Sequence, residues 1–396
     1  MGDKTQMVQG FKASAVAAGL KKDNALDLAL IYSEKEATAA GVFTTNKVKA
    51  APVLLNREYI AAGKARAIIA NAGNANACTG KTGLDDARRT AELTAKALDL
   101  YPGEVLVSST GVIGQPLDMG LISRAIPDLV KALSPEGIVS AAQAVMTTDS
   151  FPKISQFEGR AGEQTYRIQG IAKGAGMIMP NMATMLCFIM SDINIAAAGL
   201  QKALLASVEG SFNRITVDGD TSTNDTVLAL ANGMAGNGQL SEKDYQEFMD
   251  GLQQVMGELA RMIVRDGEGA TKVIDILIKG AFSASDAIHA ARTVANSSLV
   301  KTAFYGQDPN WGRIIAALGR SEVRMEEGRV AIWVDDIQIV ADGLGKGIEA
   351  EKKAAEKMVQ KEFSVTIDLQ QGPYQDRVVT CDLTHDYVSI NADYRT

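Results

Sequence analysis

The chain has 396 residues, of which 46% are hydrophobic and 22% charged, as expected for a soluble globular protein of one large or two ordinary domains. Its net charge of −7 argues against nucleic acid as the main partner, because phosphate binding requires a basic surface. We expect no membrane span, since no apolar run reaches the length of about 18 residues that a spanning helix needs.

The cysteines and the N-terminus predict the cellular compartment. Cys78, Cys187 and Cys381 include no CxxC pair, and this sparse, odd set fits a reducing environment better than a disulfide framework. The first residues lack the charged-then-apolar pattern of a secretory signal. We therefore expect a cytoplasmic protein.

Strands and helices alternate in the first half of the chain. Apolar spacing predicts strands at 65–71 and 104–110 and helices at 84–98, 117–133 and 134–146. The last of these helices is expected to begin at Ser134, with a proline at its first position.

The second half continues the same mixed pattern. The segment 184–195, TMLCFIMSDINI, begins with apolar residues at successive positions, which is typical of a strand buried on both faces. Further predicted elements are helices at 197–212, 241–265 and 347–362 and strands at 272–280, 329–336 and in SVTIDLQQG and RVVTCDLTHDYVSI. Strands covered by helices on both sides, a layered α/β fold, are the expected architecture.

The loop AGNANACTGKTG at 72–83 resembles a phosphate-binding loop, because it lies between a strand and a helix and contains Gly80-Lys81-Thr82. The required spacing places glycine at position 75, where this chain has Ala75. A loop that wraps phosphate with its backbone depends on that glycine. We favour a structural turn and keep a nucleotide-binding protein as an alternative hypothesis.

The chain contains two histidines, His289 and His385, nearly 100 residues apart. His289 lies on a predicted helix, and His385 lies beside Asp386 at the end of a strand-like run. We expect no metal site, because two histidines so far apart do not form a histidine-rich ligand set; a His385–Asp386 ligand pair is the alternative, and a Ser-His-Asp triad would have to use one of the two histidines.

Two further segments carry candidate chemistry. Thr110 and Gly111, directly after a strand, are either an ordinary turn or donors to an oxyanion. Thr184, at the head of an apolar strand, is either a strand-end hydroxyl or a nucleophile. Cleavage of the preceding peptide bond would free an α-amine with a pKa of about 7.7–8.0, which can serve as the base that threonine needs.

The run KGAGMIMPNMATML at 173–186 closely resembles the self-cleavage segment of the ornithine acetyltransferase family, also called glutamate N-acetyltransferase. Similar motifs extend over nearly the whole chain: GVFTTNKVKAAPV, NAGNANACTG, SSTGVIGQPL, MTTDSFPK, TVDGDTSTND, RDGEGATK, GQDPNWGRI and the terminal NADYRT. Because these motifs share their order with the family and cover nearly the whole chain, we interpret the resemblance as a family relationship.

The resemblance implies a layered fold of the N-terminal-nucleophile type, cut between Ala183 and Thr184 into an α chain (1–183) and a β chain (184–396), usually assembled as an α₂β₂ heterotetramer. It implies Thr184 as nucleophile and Thr110 with Gly111 as the oxyanion pair. The substrate contacts that it implies are Thr147, Lys173, Thr184, Glu268, Asn391 and Thr396. The choice between Thr147 and Thr148 stays open.

The implied reaction is acetyl transfer from N-acetylornithine to glutamate in arginine biosynthesis, through an acetyl-threonine intermediate and without a metal, nucleotide or organic cofactor. Some family members also use acetyl-CoA as donor. The alternatives are a self-cleaving amidase or aminopeptidase of the same fold, and a non-enzymatic scaffold in which Thr184 only begins a strand.

Overall fold

The computed structural model describes residues 7–179 and 185–393. Its strands, in chain order, are β1 Phe11–Val16, β2 Leu28–Phe43, β3 Lys64–Asn74, β4 Val105–Val112, β5 Lys153–Ala161, β6 Gln164–Lys173, β7 Leu186–Ser191, β8 Ile215–Thr216, β9 Thr226–Ala231, β10 Val273–Ala281, β11 Ala331–Val334, β12 Ile337–Ala341, β13 Leu344–Gly345, β14 Glu362–Asp368 and β15 Tyr374–Cys381. The predicted strands at 65–71, 104–110 and 272–280 are confirmed as β3, β4 and β10.

Helices cover these strands and separate them along the chain. They are α1 Ala51–Tyr59, α2 Gly80–Leu98, α3 Met119–Lys131, α4 Ile138–Ala144, α5 Ala197–Gly210, α6 Glu242–Arg265, α7 Ala284–Ala295, α8 Ser298–Tyr305, α9 Trp311–Gly319, α10 Ile348–Met358 and α11 His385–Asp393. In the described part of the chain, no helix combines the length and apolar character needed to cross a membrane.

The strands form two mixed sheets. The first has the order β4-β3-β2-β9-β7-β6-β5, with β1 paired to β2, and the second has the order β13-β12-β11-β14-β10-β15-β8. β7 lies inside the first sheet, parallel to β9 and antiparallel to β6. The layered α/β architecture expected from the sequence is confirmed.

β7 is apolar on both faces because each face meets a different layer of the core. Cys187 and Ile189 belong to the apolar cluster formed with α5 and α6. Phe188 and Met190 belong to the cluster on the opposite face, which includes α4. The predicted doubly buried strand is thereby confirmed for Leu186–Ser191, while residue 184 lies outside the described residues.

Two predicted boundaries are wrong. Ser134 does not open a helix, because its backbone N–H and C=O pair with those of Ala13, and α4 begins only at Ile138. His385 does not end a strand: β15 stops at Cys381, and His385 begins α11. There the His385 ring packs edge-on against Tyr305, with ring centroids 6.0 Å apart.

The boundary at 183/184 runs through the first sheet. β1–β6 precede it, whereas β7 and β9 follow it and pair with β6 and β2. Two chains produced by a cut at this boundary would therefore share a single sheet, joined by backbone hydrogen bonds rather than by a linker between separate domains.

Candidate active site

The end of β4 carries Thr110 and Gly111 and is fixed by buried amide side chains. The Nδ2 of Asn224 donates to the carbonyl oxygens of Ala75 (2.6 Å) and Ser109 (2.8 Å). The hydroxyl of Ser109 donates to Oδ1 of Asn71 on the neighbouring strand at 2.6 Å. These contacts hold the residue before Thr110 in a defined position.

Gly111 occupies a position that no other residue fits. Its φ of +130° lies in the region that favours glycine, and a Cβ placed there would lie 2.4 Å from the carbonyl carbon of Gly73 and 2.5 Å from the nitrogen of Asn74. The backbones of β3 and β4 therefore approach each other where the strand pairing becomes irregular. Thr110, which is buried, and Gly111 both line a cavity at this end of β4.

Lys173, the last residue of β6, places a buried cation beside this strand end. Its side chain is 3% exposed, and Nζ donates to Oγ1 of Thr147 at 2.7 Å and to Oγ1 of Thr110 at 3.4 Å. Burial lowers the pKa of Lys173, and the charge of Asp149, whose Oδ2 lies 3.8 Å from Nζ, opposes that shift. The cation is thus held in position between two hydroxyls and one carboxylate.

A buried ion network behind Lys173 connects distant segments. Lys153 is fully buried and donates to Oδ1 of Asp149 at 2.7 Å and to Oδ2 of Asp266. Asp149 also accepts the backbone N–H groups of Thr147 (3.0 Å) and Gly174 (2.7 Å). Burial alone would raise the pKa of Asp149, but the charges of Lys173 and Lys153 and the hydrogen bonds outweigh it and bring the pKa to about 2.

Another part of the cavity lining is acidic. Oε2 of Glu268, which follows α6, accepts a hydrogen bond from Nδ2 of Asn391 on α11 at 2.8 Å. The carboxylate of Glu268 lies against Gly176, where any side chain would collide with it. Beside it, the hydroxyl of Tyr387 lies 3.4 Å from Oδ2 of Asp218, and burial raises the pKa of both groups.

These groups meet around one cavity of about 220 Å³. Its lining includes the described residues of the sequence-derived set, Thr110, Gly111, Thr147, Lys173, Glu268 and Asn391, and also Thr148. Ala183, Thr184 and Thr396, which the resemblance also implies, lie outside the described residues. His289 and His385 are not part of the lining.

Sequence reasoning gave no role to Asp149, Lys153, Asp218, Asp225 or Tyr387. Four of these residues lie in the recognised motifs MTTDSFPK and TVDGDTSTND, but the sequence did not indicate what their side chains contact. The contact partners are distant in sequence: Lys153 and its partner Asp266 are 113 positions apart.

The loop at 72–83 satisfies its own polar groups. Nδ2 of Asn76 donates to the carbonyl oxygen of Gly83, and the hydroxyl of Thr79 donates to Oδ1 of Asn76. Asn74 donates to the carbonyl oxygens of Gln115 and Pro116. These contacts are those of a structural turn.

Among the described residues, no group of three or more His, Cys, Asp and Glu side chains could hold a metal ion.

We predict that Asp149→Asn reduces stability in a pH-dependent way. The folded-state pKa of about 2 lies below the ordinary 3.8, so Asp149 contributes about 2 kcal/mol above pH ~4, and this contribution is lost as the pH falls through about 2. The difference in free energy of unfolding between wild type and variant should therefore shrink on acidification. Urea denaturation at several pH values measures it, with the exposed Asp85→Asn as control. A difference that is independent of pH would contradict the prediction.

The chain is similar over nearly its whole length to proteins of one family. The sequence model of the ArgJ family matches residues 12–396. The "Arginine biosynthesis bifunctional protein ArgJ" of Geobacter sulfurreducens is 52% identical over 391 residues, covering 98% of this chain and 100% of that protein. The "Glutamate N-acetyltransferase" of Methanocaldococcus jannaschii is 46% identical over 400 residues, covering 98% and 97%.

Among solved structures, the arginine biosynthesis bifunctional protein ArgJ from Bacillus halodurans is similar to this chain, with 41% identity and a TM-score of 0.50. The match covers 52% of this chain and 98% of the crystallised one, which is therefore about half as long. Since the family model matches nearly the full length and two relatives of similar length share about half of their residues with it, this chain belongs to the ArgJ family.

Proposed function

We propose that this protein is a glutamate N-acetyltransferase that moves an acetyl group from N2-acetylornithine to glutamate in arginine biosynthesis. The names of the relatives from G. sulfurreducens and M. jannaschii support this function over the amidase hypothesis. The observation that carries it is the single cavity in which an oxyanion pair, a buried cation and an acidic wall meet.

The cavity lining offers a cation and a carboxylate, which suit the two charged groups of an amino acid. The ammonium of Lys173 can pair with the α-carboxylate, since a charge-assisted hydrogen bond is roughly twice as strong as a neutral one. Glu268, positioned by Asn391, can pair with the terminal ammonium of ornithine. Thr147 and Thr396 would complete the substrate contacts with hydroxyl groups.

The reaction would proceed in two half-reactions. The hydroxyl of Thr184 attacks the acetyl carbonyl while its own α-amine accepts the proton, and Thr110 and Gly111 stabilise the oxyanion. The C–N bond breaks, ornithine leaves with the proton, and an acetyl ester remains on Thr184. The amine of glutamate then attacks this ester and departs as N-acetylglutamate, returning the proton to Thr184. These steps use no metal or organic cofactor.

A free α-amine on Thr184 requires self-cleavage after Ala183, giving chains 1–183 and 184–396. The half-length chain of the B. halodurans structure supports this division, because each product would also be about half of the present chain. Pairing of β7 with β6 across the cut would keep the products together. We extend the proposal to an α₂β₂ heterotetramer in the cytoplasm.

The first experiment replaces the nucleophile. Thr184→Ala should remain a single chain of full length and should form no N-acetylglutamate, because both cleavage and transfer need the hydroxyl. Intact-mass spectrometry and a transfer assay with N-acetylornithine and glutamate measure the two effects, with Thr148→Ala as the matched threonine control for cleavage. A Thr184→Ala protein that still splits would refute the assignment. Acetate released from wild type without glutamate would favour the amidase.

A second experiment tests the oxyanion pair. Gly111→Ala should lower kcat per cleaved molecule by about 10²–10³, because a Cβ would displace the strand end from which the oxyanion donors come. Gly114→Ala is the matched control: Gly114 also has positive φ, +80°, but nothing lies within 4 Å of its Cβ position. Equal activity of the two variants would contradict the role of Gly111.

The donor range is tested separately. Because the G. sulfurreducens relative is named bifunctional, we include acetyl-CoA as a second donor in the proposal. Purified protein should then form N-acetylglutamate from acetyl-CoA and glutamate, measured by mass spectrometry with Thr184→Ala as the blank. If N-acetylglutamate forms with N-acetylornithine as the donor but not with acetyl-CoA, the enzyme only recycles the acetyl group.

A further inference from the structure

The two substrates of the proposed function, on which this inference rests, place opposite demands on one cavity. N-acetylornithine carries a terminal ammonium group, whereas glutamate carries a second carboxylate. In a reaction of two half-reactions the acceptor takes the place that ornithine has left, so both side chains meet the same lining. Glu268 suits the ammonium group but repels the side-chain carboxylate of glutamate. Glutamate therefore needs a hydrogen-bond donor close to Glu268.

The cavity lining offers one cation for the two carboxylates of glutamate. Among the described residues that line the cavity, Lys173 is the one lysine or arginine. The proposed function pairs Lys173 with the α-carboxylate, which both substrates share. Its Nζ lies beside the hydroxyls of Thr110 and Thr147. The side-chain carboxylate of glutamate is then left to a neutral donor.

Asn391 has both of its donor hydrogens engaged. Its Nδ2 donates to Oε2 of Glu268 at 2.8 Å and to the backbone carbonyl oxygen of Tyr387, one turn earlier on α11, at 3.0 Å. An amide nitrogen carries two hydrogens, so a third acceptor would have to displace one of these contacts. Asn391 therefore holds Glu268 in position and does not supply the donor that glutamate needs.

Tyr387 lines the same cavity and is fixed to the loop that carries Glu268. Its backbone N–H donates to Oγ1 of Thr384 at 3.3 Å, and the Thr384 hydroxyl donates to the carbonyl oxygen of Gly269 at 2.7 Å. A Cβ at Gly269 would lie 2.6 Å from the Tyr387 nitrogen, so α11 packs closely against this loop. The Tyr387 side chain is thereby placed where the charge of Glu268 acts on it.

The Tyr387 hydroxyl is available as a donor. It lies 3.4 Å from Oδ2 of Asp218, which is long for an O–H···O hydrogen bond. Asp218 does not depend on this contact, because its two oxygens accept the backbone N–H groups of Met177 (2.6 Å) and Ile178 (2.8 Å). Burial and the charges of Asp218 and Glu268 raise the pKa of Tyr387, so the phenol keeps its proton at neutral pH.

We propose that the Tyr387 hydroxyl recognises the side-chain carboxylate of the acceptor glutamate, which makes Tyr387 a specificity-determining residue of the second half-reaction. With ornithine in the cavity, Glu268 pairs with the ammonium group and the Tyr387 hydroxyl stays with Asp218. With glutamate in the cavity, the hydroxyl turns from Asp218 to the substrate carboxylate and offsets the repulsion from Glu268. Neighbouring side chains of one cavity thus serve the two substrates, a carboxylate for the cation and a phenol for the anion.

Tyr387→Phe tests this role, because it removes the hydroxyl and keeps the ring. In a ping-pong reaction, kcat/KM for each substrate reports on its own half-reaction. The variant should lose about 10-fold in kcat/KM for glutamate, the order of one hydrogen bond to a charged group, and should keep kcat/KM for N-acetylornithine within about 2-fold of wild type. Initial rates per cleaved molecule, with each substrate varied in turn and N-acetylglutamate measured by mass spectrometry, give both values.

Glutamine is the second probe, since it has the shape of glutamate with an amide in place of the carboxylate. Wild type should prefer glutamate as acceptor, and Tyr387→Phe should reduce this preference, because a hydrogen bond to a carboxylate is stronger than one to an amide. A merely structural role would lower transfer to both acceptors equally and would leave their ratio unchanged.

Tyr305→Phe is the matched control. The Tyr305 ring packs against His385 of the same helix, α11, but Tyr305 is not among the residues that line the cavity. Its variant should have the wild-type kcat/KM for both substrates and the wild-type preference for glutamate over glutamine. A preference reduced as much as in Tyr387→Phe would contradict a specific role of the Tyr387 hydroxyl.

The remaining outcomes are also decisive. If wild type forms no N-acetylglutamate from N-acetylornithine and glutamate, the proposed function fails and the role of Tyr387 fails with it. If wild type transfers the acetyl group and Tyr387→Phe keeps both its kcat/KM for glutamate and its acceptor preference, the role of Tyr387 alone is refuted. An equal loss in both half-reactions also refutes it. So does a loss of cooperative melting in Tyr387→Phe, because the hydroxyl has only a long contact and α11 has no buried residue.

Discussion

The burial of β7 on both faces is the constraint on which the rest of the structure depends. An apolar strand with one layer of helices on each side cannot slide or turn over without exposing one of its faces to water. Its first residues are therefore fixed in space, between β6 and β9, at the edge of the candidate cavity. Packing of β7 thereby fixes Leu186 opposite Lys173, whose side chain lines the cavity.

Charge balance is the second constraint. Lys173 lines the cavity and Lys153 lies behind it; both are buried, and unpaired buried ammonium groups would be strongly unfavourable. Asp149 faces both of them and also holds the backbone of the segments that carry Thr147 and Lys173. The Asp149 carboxylate therefore balances the charge of the two lysines and also fixes the backbone of the segments that carry Thr147 and Lys173. Asp225 is also buried and accepts the backbone N–H of Met185 at 3.0 Å.

The sequence predicted those parts of the molecule in which a local pattern determines the outcome. The doubly apolar run gave β7, and helical spacing gave α6, predicted at 241–265 and observed at Glu242–Arg265. The pairing of Ser134 with Ala13 could not be predicted, because its partner lies more than a hundred positions away. The helix that begins at His385 was predicted as a strand, because its few apolar residues resemble those of the preceding strand, β15.

Some residues of the candidate site could likewise be predicted from the sequence, whereas others could not. Thr110, Lys173 and Glu268 were predicted through motif resemblance, and they line one cavity in the structure. No role was predicted for the supporting aspartates, although Asp149, Asp218 and Asp225 all lie in motifs that were recognised. Asp218 and Asp225 accept the backbone N–H groups of Met177 and Met185. The sequence around an aspartate does not reveal which backbone N–H its carboxylate will accept.

The most direct test of the account is to trap the acetyl group on the enzyme. Wild-type protein is incubated with N-acetylornithine in the absence of glutamate, quenched in acid and analysed by intact mass and fragmentation. We expect a chain that begins at Thr184 and carries one acetyl group on that residue, which disappears when glutamate is added before the quench. An unmodified chain in a preparation that forms N-acetylglutamate from both substrates would contradict the acetyl-threonine mechanism.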